Sequence, residues 1–164
     1  KKLLIEDDYH TNKNKNLDRF LSPINKSTKF AFNKFFRKIT KNKIKTTKIL
    51  EIKGRKIQIE NFYEGVAKFN FNELCDRNLG SEDYISIANN CDFIFIENLP
   101  NFNKNNSNQQ QRFITLIDII YEKKIPLMIL SSVNLDSINS SKNLFEPFKR
   151  TISRLYELTS INFN

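Results

Sequence analysis

The sequence predicts an α/β fold: a strand-helix-strand core layer with a small β-meander and flanking helices. Three observations predict it. Two short, wholly apolar runs, Phe93-Ile94-Phe95-Ile96 and Leu127-Met128-Ile129-Leu130, lack the alternation of a half-exposed strand, as strands covered on both faces do. Between them Phe113, Leu116, Ile117, Ile120 and Tyr121 recur at i, i+3, i+4, i+7 and i+8, one continuous stripe of an amphipathic helix. Upstream, β-branched runs flank Lys53-Gly54, where glycine supplies the positive φ of a hairpin turn.

The elements follow in order. Leu3-Leu4-Ile5 reads as a strand end, followed by an acidic Glu6-Asp7-Asp8 turn. Asn16 to Leu21 reads as a short helix stopped at Ser22-Pro23, because the residue before proline is pushed out of the α region. From Ser27 to Ile39, Phe32, Phe35, Phe36 and Ile39 share a face, with Lys29, Lys34, Arg37 and Lys38 between them, an amphipathic basic helix. Two readings of it stand. Its Phe stripe packs on the domain, or it is a surface helix for membrane or nucleic acid, since basic residues interleaved with aromatics suit both. Lys41 to Lys45 reads as a charged linker, and Thr46 to Ile52, Arg55 to Glu60 and Val66 to Phe71 as the three strands of the meander.

Asn70 or Asn72 caps a short helix through Leu74, Cys75 and Asp76. Ser81 starts another, with Glu82 and Asp83 in the first turn, where the helix dipole favours acidic groups, and with Tyr84, Ile87 and Ala88 on its buried side. The loop Asn98 to Asn106, holding Pro100, is polar. Ser107 and Gln110 form a capping box for the long helix, which Lys123, Lys124 and Pro126 close. The last helix, Phe145 to Leu158, has Phe148, Ile152 and Leu155 on one face. Arg150 and Arg154 lie together on another, placed to present two guanidinium groups to one anion. The alternative pairs Glu146 with Arg150 and Arg154 with Glu157 as surface ion pairs.

These elements divide the chain into a basic helical segment (1–45), a β-meander (46–71) and an α/β core with the arginine-bearing helix (72–164). The 164 residues fit one domain or two small ones. The chain starts Lys1-Lys2-Leu3 without a Met, which predicts a piece of a longer polypeptide. No signal peptide is visible and no apolar run nears the roughly 20 residues that span a bilayer, and a cytoplasmic place is expected. Two cysteines and one histidine exclude much chemistry. A zinc site needs about four ligands, and a Cys-His nucleophile pair would have to use His10. Cys75 and Cys91 read as buried thiols of a reducing compartment, and His10 as a loop residue.

The net charge of +9 is uneven: residues 1–70 hold 18 Lys/Arg against 7 Asp/Glu, and the rest hold 9 against 11. A basic half points either to nucleic acid or anionic lipid, or to a solvated surface in a chain rich in Lys, Asn, Ile and Phe throughout. A phosphate loop needs two glycines five apart, because glycine lets successive N–H groups close around phosphate oxygens. The only glycines are Gly54, Gly65 and Gly80, so neither that loop nor G-x-G-x-x-G is present. The apolar strand ending in Glu97 has the outline of a metal-coordinating strand end, while Asp92, Glu97 and Asp118 equally read as element-boundary residues.

Several runs in their order resemble one family. These are Val66-Ala67-Lys68-Phe69 through Leu74-Cys75-Asp76, Ser81-Glu82-Asp83-Tyr84, Asp92 to Glu97 with Leu99-Pro100, Arg112 to Asp118 with Tyr121-Glu122, and Phe148 to Leu155. Together they resemble the C-terminal half of ZapE-type cell-division ATPases, which are similar to the AFG-like ATPases of mitochondria. The likeness covers residues 46 to 160, and residues 1 to 45 loosely. It implies an AAA+ P-loop ATPase that binds and hydrolyses ATP with Mg, linked to cell division or membrane-protein quality control. It also implies cell-division or membrane-associated protein partners and an oligomer. The phosphate loop, the acidic metal-binding strand and the first sensor would then lie in an upstream nucleotide-binding portion, so no catalytic residue is expected within this chain. The R-T-x-S-R-L end maps onto Arg150, Thr151, Ser153, Arg154 and Leu155, which makes Arg150 or Arg154 the candidate nucleotide sensor. The alternative is a basic binding module for nucleic acid or anionic membrane, without catalysis.

Overall fold

The computed structural model describes residues 19–163. The strand end at Leu3, the acidic turn and His10 lie outside them. β1 (Phe20–Leu21) leads through Ser22-Pro23 into α1 (Lys26–Thr40). Reciprocal bonds close the N-terminus of α1, with Thr28 N–H donating to Asn25 Oδ1 at 2.9 Å and Asn25 N–H to Thr28 Oγ1 at 3.0 Å. β2 (Lys45–Ile52) and β3 (Arg55–Tyr63) meet at Lys53 and Gly54, whose φ of 48° and 81° form a hairpin turn matched to the strand twist. β4 (Val66–Asn70), α2 (Phe71–Cys75), α3 (Ser81–Asn89), β5 (Phe93–Leu99), α4 (Ser107–Lys123), β6 (Leu127–Ser131) and α5 (Phe145–Leu158) follow.

Among the described residues the strands form one sheet in the order β1-β6-β5-β4-β3-β2. β1, β6, β5 and β4 are parallel, and β3 and β2 add on antiparallel. β4 joins the two parts: Ala67 lies opposite Phe62 of β3 and beside Ile94 of β5. The segments 46–71 and 72–164 therefore meet in a continuous sheet, and β1 and α1 supply an edge and a cover to it.

The apolar runs of β5 and β6 do pack on both faces. Ile94, Ile96, Leu127 and Ile129 point into the larger core under α2 to α5, which Phe113, Leu116, Ile117 and Ile120 of α4 fill. Phe95, Met128 and Leu130 point to the other face, which α1 covers with Phe32 and Phe36. The Phe95 ring lies 5.5 Å from that of Phe32 and 4.9 Å from that of Phe36, both edge-on. The packing role expected for the Phe stripe of α1 is the one observed.

Three local expectations are corrected. Phe20 and Leu21 are strand, not the end of a helix, because pairing beside Ile129 and Leu130 completes the sheet edge. Arg19 fixes that edge: its Nε donates to Leu127 O at 3.0 Å, and its Nη2 to Leu158 O at 3.2 Å and Phe163 O at 3.3 Å. The linker expected at Lys41 to Lys45 is one residue shorter, since Lys45 already pairs with Tyr63. The Ser107/Gln110 capping box does not form. Gln110 is fully buried, donating to Ser140 Oγ at 2.7 Å and accepting from Ser141 N–H at 3.0 Å, because its own amide has no water to turn to. Asn103 instead ties the turn before α4, accepting from Asn105 N–H at 2.7 Å.

Phe95 has no exposed surface, so Phe95→Ala is expected to cost about 3–5 kcal/mol in chemical unfolding. A loss below about 1 kcal/mol would show that α1 does not pack as described. Both thiols are free and buried. Burial, with help from Asp92, pushes Cys91 from 9.0 up to about 12, and burial raises Cys75 as well. A raised thiol pKa favours the neutral folded form, so this stabilisation is full below pH 9.0 and is lost as pH rises toward about 12. Neither cysteine should react with a thiol reagent at pH 7 until the chain unfolds, and rapid labelling of the folded protein would contradict this burial.

Candidate functional site

α4 and α5 run side by side on the larger core. Phe148, Thr151, Leu155 and Leu158 are the buried positions of α5, which leaves 150 and 154, one turn apart, on its flank toward α4. On α4 the stripe of Phe113, Leu116, Ile117 and Ile120 is buried. Asp118 stands on the shoulder of that stripe, one residue past Ile117, and so faces the same flank.

Arg154 Nη1 lies 2.6 Å from Asp118 Oδ1, and Arg150 Nη2 lies 3.3 Å from Asp118 Oδ2. The two arginines thus share one anion, and that anion is the carboxylate of Asp118. Their fixation differs. The Arg154 side chain is 27% exposed and its guanidinium sits 4.6 Å from the centre of the Tyr121 ring. Arg150 is 55% exposed and makes the longer contact. Tyr121 in turn donates its hydroxyl to Glu157 Oε1 at 2.9 Å, a bond that raises the phenol above its usual range.

The surface ion pairs expected for these arginines do not form. Glu146 pairs with Lys149 at 3.3 Å, and Glu157 takes Tyr121. The cause is the neighbouring helix, whose Asp118 offers one fixed carboxylate to both guanidinium groups. Asp118 is also not a boundary residue, since it lies within α4, and it is the member of this cluster that the spacing of α5 gives no hint of. The available signal is a carboxylate on the shoulder of an apolar stripe, three residues before a tyrosine.

These side chains line a cleft of about 480 Å³ with Glu122 and Lys124. Its three cations face two carboxylates, a balance that leaves room for an added anion. The cleft lies toward the C-terminal end of α4, on the side where β6 begins. Ligands of open α/β sheets sit at the carboxyl ends of the strands, and there the chain has a different cleft of about 340 Å³, lined by Phe102, Ile138, Phe145 and Phe148 with amides and Lys149.

Among the described residues no site for ATP and Mg is formed. Gly54 and Gly65 serve hairpin turns and Gly80 precedes α3, so no glycine loop can cradle phosphates. Among the described residues no group of three His, Cys, Asp or Glu is placed to hold a metal ion. Glu97 lies within β5, two residues before its end, and Asp92 lies beside the Gly65 turn. No described helix is long and apolar enough to cross a membrane.

The family model of AFG1-like ATPases matches residues 5–164. Lactation elevated protein 1 homolog B of Danio rerio is 31% identical over 110 residues, 66% of this chain and 22% of that protein. Cell division protein ZapE of Escherichia coli K12 is 26% identical over 141 residues, 86% of this chain and 38% of that protein. An uncharacterized protein of Schizosaccharomyces pombe is 29% identical over 133 residues, 80% of this chain and 29% of that protein. The chain spans only 22% to 38% of the length of these relatives. No solved structure matches it.

Double-mutant cycles separate the two contacts. Coupling of Asp118 to Arg154 is expected at about 1 kcal/mol and of Asp118 to Arg150 at about 0.3 kcal/mol or less, following exposure and distance. Equal couplings in chemical unfolding would contradict the asymmetry.

Proposed function

Because the chain belongs to the AFG1-like ATPase family, we propose that it is the C-terminal portion of an AAA+ protein that binds and hydrolyses ATP with Mg. The phosphate loop, metal-binding acid and first sensor of that protein lie upstream in the same polypeptide. That upstream nucleotide-binding portion is the first partner of this chain. The work done with the energy of ATP is cell division or the quality control of membrane proteins, in the cytoplasm or at the inner-membrane periphery, by an oligomer. The name of the Escherichia coli relative supports the first of these tasks.

The observation that carries a role for this chain is the pair of guanidinium groups on one carboxylate. Arg150 is the group that touches the nucleotide. It is exposed, weakly held, and able to exchange one carboxylate oxygen for a phosphate oxygen. Arg154 positions it, by holding Asp118 at 2.6 Å and stacking on Tyr121. The placement of the cleft away from the carboxyl ends of the strands fits a nucleotide presented by another module or subunit. A planar guanidinium suits charge spread over phosphate oxygens as that charge develops.

In the intact polypeptide, Arg150→Ala is expected to lower the kcat of ATP hydrolysis by about tenfold or more with little change in melting. Arg154→Ala should lower kcat and also loosen the helix pair. Unchanged turnover in both variants would reject the nucleotide role of this site. Turnover by residues 1–164 alone would reject the assignment of the phosphate loop to upstream sequence.

A further inference from the structure

We infer that the outer face of α1 is a docking surface for the sugar-phosphate backbone of a nucleic acid. The inference starts from what the packing leaves outside. Phe32 and Phe36 turn inward onto Phe95, which sets the opposite face by helical geometry. Lys26, Phe30, Lys34, Arg37 and Lys41 fall on that face at spacings of four, four, three and four, about 5–6 Å apart along the axis. All five are exposed, and Phe30 keeps 62% of its surface in contact with water. Lys34 Nζ stands 6.0 Å from the centre of the Phe30 ring.

Four further exposed lysines flank this row between Lys29 and Lys45. From Phe20 to Leu50 the sequence holds no Asp or Glu, so no carboxylate within the segment neutralises the row. Among the described residues none of these cations is in an ion pair. Glu64, a carboxylate of the turn before β4 that reaches this region, accepts from the Ile44 backbone N–H at 3.0 Å. Among the described residues this face therefore has no acidic complement, and an external polyanion can supply one.

Two features choose nucleic acid over an anionic membrane. An interfacial helix works by sinking its apolar face into lipid, and α1 has spent that face on the sheet. Second, among the described residues α1 is the one helix on its side of the sheet, and its charged row runs along the helix axis, an arrangement that meets a polyanionic strand along its length. Phe30 among the cations offers a surface on which a base can stack. Recognition of this kind reads charge and not sequence, since no base-reading amide or acid lies in the row.

The test uses fluorescence anisotropy with labelled 20-nucleotide single strands and 20-base-pair duplexes. Binding is expected at 50 mM salt and should be about a hundredfold weaker at 200 mM for four neutralised duplex phosphates. The variant Lys34→Gln/Arg37→Gln/Lys41→Gln should lose about tenfold or more at 50 mM and flatten the salt slope by two to three. The charge-matched control Lys104→Gln/Lys123→Gln/Lys142→Gln should bind like the parent, and circular dichroism should find both folded. No binding of either probe at 50 mM, equal loss in the two variants, or tighter binding to phosphatidylserine vesicles than to the oligonucleotides would each overturn the inference. ATP turnover of the intact protein is unaffected by the α1 variant, which keeps this test separate from that of Arg150.

Discussion

The apolar runs at the centre of β5 and β6 are covered on both faces, and the remaining architecture answers that constraint. Helices α2 to α5 cover one face and α1 the other. Phe95 shows why both covers are required: a ring with no exposed surface can be satisfied only by neighbours on its own side, and among these are Phe32, Phe35 and Phe36 of α1. Burying one such side chain is worth about 2–3 kcal/mol. A polar chain of high positive charge thus retains an apolar helix face because the sheet demands one, while the opposite side of the same helix is free to carry charge.

The arginine cluster follows from a second geometric fact, that α4 and α5 lie against the same core. Each helix buries its own stripe, and the flanks next to those stripes come together. A carboxylate on one and two guanidinium groups on the other meet there without any sequence proximity. The result is a pair with unequal freedom, one arginine held by a short contact and an aromatic ring and the other nearer to water. A guanidinium that is more than half exposed is open to an anion from solution, while a phosphate loop has no counterpart among the three glycines.

What could be read from the sequence was what local chemistry decides. The Lys53-Gly54 turn, the Phe113 stripe, the proline after α4 and the cap at Asn70 each depend on residues a few positions apart. The misread features depend on distant partners. Arg19 finds Leu127 across 108 positions, Gln110 finds Ser140 across 30, and Arg154 finds Asp118 across 36. Gln110 has the spacing of a cap and Phe20 the context of a helix, but in both cases tertiary demand outweighed a local preference worth about 1 kcal/mol. The arginines of α5 were visible as a pair, whereas the anion they share was not.

The pairing of β1 with β6 also sets a schedule. Phe20 and Leu21 leave the ribosome long before Ile129 and Leu130 exist. At roughly 5–20 residues per second, the 108 positions between Arg19 and Leu127 take about 5–20 s to synthesise. Within that interval α1, the hairpin and β4 can form from residues already made, but Arg19 has no carbonyls of β6 or α5 to bind. The nascent segment therefore carries an unsealed sheet edge for most of its synthesis, and the edge closes only when the arginine-bearing helix has been made.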